Sequence, residues 1–149
     1  MLIGNKEVIA FQVGKAASGG PDLLPVQLWL GGIDITAKDP DAYLPAFVAA
    51  LERDLASLST PSQREHKKVR SPGDARKHLF LHLSARANRY RVLALGDTTD
   101  DLLAFGFAAD AMTYIAFTVR PSSRRRCVAL PTPELRSIIE QTIAMARSA

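Results

Sequence analysis

The strongest constraint on the fold is a pair of apolar stripes with a 3.6-residue period, set apart by a long stretch whose period is two. Leu44, Phe47, Val48, Leu51, Leu55 and Leu58 share one face of a helix. Leu135, Ile138, Ile139, Thr142, Ile143 and Ala146 form the second stripe. Asp39-Pro40-Asp41 supplies start signals for the first helix, with carboxylates at the positive end of its dipole. Pro45 is tolerated only within a first turn, so that helix is expected to begin near Asp41 or Ala42 and to end at Ser59-Thr60-Pro61. Pro131-Thr132-Pro133 opens the second helix, with Thr132 expected as N-cap and Pro133 as the first helical residue.

Elsewhere the pattern is that of strands. Glu7 to Val13 alternates, placing Ile9, Phe11 and Val13 on one face. Val26, Leu28 and Leu30 align in the same way, with Gln27 and Trp29 opposite, and Gly31-Gly32 reads as a two-residue hairpin turn into Ile33-Asp34-Ile35. A second hairpin is expected from Leu79–Leu83 and Tyr90–Leu95, across Ala85 to Arg89. A third is expected from Met112–Val119 and Cys127–Leu130, across Arg120 to Arg126. Leu102 to Ala109 is a short apolar run, which periodicity alone does not assign; a short helix or irregular packed segment is expected there. Ser59 to Asp74, rich in Ser, Pro, Lys and Arg, reads as a long exposed loop. The expected fold is α+β: a mainly antiparallel sheet, one helix after the first strands, and a C-terminal helix packed on it. With 149 residues, the chain is expected to form a single domain over 1–149.

Several classes are excluded at once. The chain is 47% hydrophobic and 23% charged, too apolar for a disordered tail. Its longest stretch without a charge runs from Leu23 to Ile33 and contains Pro25, Gly31 and Gly32, so no spanning helix is expected. The first residues show no secretory pattern. One cysteine, Cys127, rules out an internal disulfide and suits a reducing compartment, so a cytoplasmic protein is expected.

The formal charge is +4, and a basic balance first suggests nucleic acid as partner. Unlike blocks make up that total. Residues 1–60 carry −3, 61–91 carry +7, 92–119 carry −4, 120–126 carry +4, and 127–149 are neutral. The run Arg64 to Arg70 would track a phosphate backbone or form a solvated loop, and it lacks the interleaved aromatics of single-strand binders. Arg124-Arg125-Arg126 at a hairpin tip has the same two readings. Asp97, Asp100, Asp101 and Asp110 have no cation within their own segment. They form either a turn with a helix cap or an acidic face for a basic partner.

No catalytic, cofactor or metal constellation emerges, so the chain is not read as an enzyme. His78 and His82 would share a helical face, but their segment reads as strand, where four residues span roughly 13 Å. Three arginines precede Cys127 and would lower its pKa, yet Cys127 opens an apolar strand where small buried cysteines are common. Trp29 reads either as core or as an interface anchor. The glycine pairs match no phosphate-binding fingerprint, and Asp97 to Asp101 lacks the oxygens and glycine of an EF-hand loop.

A resemblance extends these readings. Met1-Leu2-Ile3-Gly4-Asn5-Lys6 leads into a strand, Trp29-Leu30-Gly31-Gly32-Ile33-Asp34-Ile35 makes a hairpin, and Asp41-Ala42-Tyr43-Leu44-Pro45 with Phe47, Leu51 and Glu52 opens a helix. Over residues 1–58 this succession resembles the immunity proteins of bacterial contact-dependent growth inhibition and related polymorphic toxin systems. The resemblance implies a non-catalytic cytoplasmic protein that binds one cognate toxin domain, often a nuclease, and occludes its active site or substrate surface. It carries over no contact residue by position. Nuclease inhibitors of this kind tend to be acidic, whereas this chain is basic overall. The acidic block is therefore the expected toxin contact: Asp97, Asp100, Asp101 and Asp110. The alternative is a nucleic-acid-binding module using 61–91 and 120–126.

Overall fold

Alternation builds the first of two sheets in the computed structural model, which describes residues 1–16, 20, 22–60, 64–78 and 89–149. Strands β1 (Leu2–Asn5), β2 (Ile9–Val13), β3 (Leu23–Leu30) and β4 (Ile33–Asp34) lie in that order, all antiparallel. Ile9, Phe11 and Val13 stand opposite Leu30, Leu28 and Val26. The two inward triads thus meet rung by rung, and all six side chains are buried. Gly31 and Gly32 take positive φ values of 57° and 81°, the double left-handed turn that matches the twist of a two-residue hairpin. Trp29 lies on the other face beside Ala10, buried, with the Lys6 ammonium 3.8 Å from its ring centroid. It is not an exposed anchor.

The first helix starts later than expected. Asp41–Tyr43 forms a short strand, β5, paired with Leu23–Pro25 of β3, and α1 spans Leu44–Leu58. Ala42 is buried in that pairing, and the Leu44 N–H donates to the Asp22 carbonyl at 2.7 Å. Sheet hydrogen bonds therefore override the acidic start signal, while Pro45 stays within the first turn. Phe47, Leu51 and Leu58 are buried, with Leu44, Val48 and Leu55 packed beside them.

The second sheet has the order β6 (Leu102–Ala109), β7 (Met112–Val119), β8 (Arg126–Pro131). The third expected hairpin is present as β7–β8. Leu102–Ala109 is a full strand, correcting the expectation of a helix or irregular segment. Leu102 and Ala104 face the main core with Ile115 and Phe117 of β7. Phe105 and Phe107 face a second core with Val69, Ala75 and Tyr90. Burial on both faces removes the polar half of the alternation, which is why this strand reads as an unbroken apolar run.

The second core also corrects the reading of Ser59 to Asp74. Arg64 and Val69 are buried, Glu65 bridges Ala108, and a short helix, α2, spans Pro72–His78 and packs on β7 and β8. His78 ends that helix rather than lying in a strand, and His82 lies outside the described residues. So does Leu79–Asn88, with the first arm of the expected second hairpin. Its second arm, Tyr90–Leu95, is not a regular strand. It touches β6 through an Arg91–Phe105 bridge and then turns at Leu93, which has a φ of 57°.

A buried ion pair holds that turn. The Asp54 carboxylate, on α1, accepts the Leu93 N–H at 2.9 Å and lies 3.8 Å from the Arg64 guanidinium. Arg64 also donates to Ser57 Oγ at 2.6 Å and to the Tyr90 carbonyl at 3.1 Å. Burial pushes the Asp54 carboxyl above its ordinary range, opposed by the Leu93 N–H and by Arg64.

Helix α3 (Thr132–Ser148) joins the two sheets. Its buried residues are the six of the expected stripe, and it packs on α1, β1, β2, β7 and β8. Pro131, the last residue of β8, occupies the N-cap position expected of Thr132. Strand runs directly into helix there, and the Thr132 hydroxyl pairs with that of Thr113 at 2.8 Å. The architecture is the expected α+β arrangement, with its strands divided between two sheets.

Candidate functional site

The acidic residues singled out in the sequence occupy two ends of β6. Asp97–Thr99 forms a 3-10 turn after Gly96, closed by the Thr99 and Asp100 N–H groups on the Gly96 and Asp97 carbonyls. The Thr99 hydroxyl accepts the Leu95 N–H at 2.9 Å, fixing the turn from beneath. Asp97 and Asp100 are exposed. Asp101 is half-buried and paired, 3.1 Å from Lys38 and 3.7 Å from Arg120. Its neutralising cations come from other segments, so a segment-by-segment charge sum misses them.

Asp110 sits apart, at the β6–β7 turn with a φ of 54°. Eight strand residues separate it from Asp101, a span of about 27 Å. It lines a different cleft of about 420 Å³, with Leu58, Thr132 and Arg136. The four carboxylates do not form one cluster.

Asp97 instead joins residues from the N-terminal half. It lines a cleft of about 300 Å³ with Asp39, Asp41, Leu23 and Tyr43. Tyr43 is 55% exposed and Leu23 38%, two of the few large apolar side chains left in solvent. An aromatic and an aliphatic group ringed by carboxylates suit a partner surface that is basic and partly apolar. The signal for this in the sequence is faint, the −3 charge of residues 1–60. Asp39 and Asp41 resemble helix-start residues in sequence because the β5 pairing is not visible there.

The basic segments also meet. Arg76 of α2 lines a cavity of about 560 Å³ with Arg124, Arg125 and Arg126 at the start of β8. Cys127 lies in the same cavity, and burial pushes its thiol up to about 11 against a weaker pull from Arg76. Of the two effects weighed for Cys127, desolvation in its apolar strand outweighs the neighbouring arginines. The thiolate, the nucleophilic form, is scarce at neutral pH. The Arg64 to Arg70 run is only partly available to a ligand, since Arg64 points inward to Asp54. Among the described residues, no group of three or more His, Cys, Asp or Glu side chains is placed to hold a metal ion.

These elements define a class: an α+β scaffold of two antiparallel sheets bridged by a C-terminal helix, with charged clefts at its ends. One solved structure with this architecture is CdiI from Burkholderia dolosa AUO158. The two match with a TM-score of 0.71 over 97% of this chain and 99% of that chain, at 18% identity. The likeness is one of fold, and it runs along nearly the whole of both chains. Comparison of the sequence with protein-family models and with curated proteins finds no match. Among the described residues, no helix is long and apolar enough to cross a membrane.

Proposed function

We propose that this chain is an immunity protein that binds a cognate toxin domain, a nuclease, and neutralises it in the cytoplasm by covering its active site or substrate surface. The observation that carries this reading is a fold shared with a CdiI protein over almost the full length of both chains. Nucleases that act on polyanions present basic surfaces, and charge complementarity speeds encounter with an acidic face.

The toxin contact centres on the end of β6 that carries Asp97, Asp100 and Asp101, extended by Asp39, Asp41, Leu23 and Tyr43. Asp110, at the other end of β6 and in a different cleft, lies outside that centre.

Co-expression with the toxin domain encoded beside this chain tests the reading. Relief of toxicity and a co-purifying complex are expected; unrelieved toxicity with no complex would overturn it. Within the complex, Asp97→Asn with Asp100→Asn is expected to slow association roughly tenfold at low salt. Asp101→Asn is expected to matter less, because Lys38 and Arg120 already offset its charge. Asp110→Asn is expected to matter least. Equal rates for all variants would move the contact elsewhere.

A further inference from the structure

The arginine cavity is a second charged site, at the opposite electrostatic extreme from the acidic cleft. Its walls come from segments about 50 residues apart in sequence. Arg76 is carried by α2, which packs on β7 and β8, and Arg124 to Arg126 lead into β8. Among the described residues its lining carries these four guanidiniums and the Glu7 carboxylate. The floor is fixed. Gly31, at the tip of the β3–β4 hairpin, approaches Phe117 so closely that an added Cβ would lie 3.0 Å from the ring. The hairpin tip of one sheet is thereby seated on the other, directly beneath the arginines.

Gathering four cations in one concavity raises their mutual repulsion, and an anion carrying several charges relieves it. Guanidinium groups present planar donor forks that match phosphate oxygens two at a time. Single carboxylates would each offset only one cation. Phosphates linked in series bring several charges at fixed spacing into the same space. At about 560 Å³, the cavity falls within the range of small-ligand sites and exceeds the needs of one phosphate. Phe117 is fully buried and offers no ring for stacking, so nothing in the cavity floor reads a base.

We propose that this cleft is a phosphate-binding site, taking consecutive phosphate groups from a nucleotide polyphosphate or a nucleic-acid backbone without reading the base. The site does not depend on toxin inhibition. It joins one cation of the first basic segment, Arg76, to three of the second.

The test uses the full chain at about 50 mM salt, where phosphate contacts are strong. One probe is a fluorescently labelled single-stranded RNA oligonucleotide followed by anisotropy; the other is inorganic triphosphate, by calorimetry. Arg124→Gln combined with Arg126→Gln is expected to weaken binding at least tenfold. It is also expected to reduce the salt slope for RNA by about 1.4, as two lost contacts to a single strand require. Lys67→Gln combined with Lys68→Gln removes the same charge from exposed positions outside the cavity, and is expected to change affinity less than twofold. Binding of triphosphate assigns the site to nucleotides. Binding of RNA alone assigns it to the backbone. Equal weakening by the two double variants, binding of neither probe, or tighter binding of a polyglutamate peptide would overturn the proposal.

Discussion

The first sheet packs one face into the main core and leaves the other partly in solvent, with Ala10 and Trp29 buried there, whereas the second packs both faces in apolar cores. On β2, Ile9, Phe11 and Val13 point inward while Gln12 stays in solvent. On β6, Leu102 and Ala104 enter one core while Phe105 and Phe107 enter another. The consequence reaches function. With both faces of β6 and β7 covered, the second sheet meets solvent mainly at the ends of its strands. Those ends carry Asp97 and Asp100, Asp110, and Arg124 to Arg126. By register, Asp97, Asp100 and Arg124 to Arg126 share the end where β6 begins and β7 stops, so charges of both signs crowd one tip, while Asp110 marks the other.

That contrast can be broken by removing what covers the second sheet's far face. Arg64→Ala leaves Asp54 buried without its cation and frees the Tyr90 carbonyl, and is expected to cost about 3–5 kcal/mol in denaturant unfolding. Its pH dependence carries a sign. The Asp54 carboxyl is raised in the folded state above its ordinary 3.8, so the folded protein holds that proton more tightly than the unfolded one. This contribution to stability is present below about pH 4 and is lost as pH rises through the folded value. Stability relative to Asp54→Asn is therefore expected to rise as pH falls from 7 toward 4; an unchanged difference would place Asp54 in solvent.

Phe107→Ala sharpens the comparison between the cores. Phe107 is fully buried, 5.0 Å between ring centroids from Tyr90, and its truncation is expected to cost about 3–4 kcal/mol. Gln12→Ala on the open face of the first sheet is expected to stay within about 0.5 kcal/mol. Similar midpoints for the two variants would show that the second core contributes little.

A loss smaller than that of Phe107→Ala belongs to the first sheet's edge. Gly4 has a φ of 93°, and an added Cβ would lie 2.3 Å from the Ile9 carbonyl oxygen. Gly4→Ala is expected to cost about 1–3 kcal/mol, measured by thermal unfolding, through backbone strain and loss of the β1–β2 pairing. A neutral result would mean that β1 is dispensable to the sheet.

Much of this architecture was legible in the residues. The six-residue stripe of α3 is its buried face, and the facing triads of β2 and β3 were visible as alternation. The Gly31-Gly32 turn was visible because only glycine adopts two consecutive left-handed conformations without strain. The β7–β8 hairpin was visible from a polar, arginine-rich loop between apolar runs. β6 was not, because burial on two faces erases periodicity, and a run such as Leu102 to Ala109 suits a buried helix equally well. β5 was hidden beneath a valid helix-start signal. Of the candidate site, the turn at Asp97 to Asp101 was legible as one of two readings, whereas the pairing of Asp101 and the isolation of Asp110 were not visible.

Local signals alone specify two amphipathic helices, a glycine hairpin, and alternating strands with one strongly apolar face. Their periods follow from backbone geometry, which neighbouring residues specify. Tertiary structure alone decided which charges meet. Lys38 and Arg120 reach Asp101, Asp39 and Asp41 join Asp97, and Arg76 reaches Arg124 to Arg126 across about 50 residues. Electrostatic interaction depends on distance in space, and a linear sequence fixes that distance only after the two sheets have closed on α3.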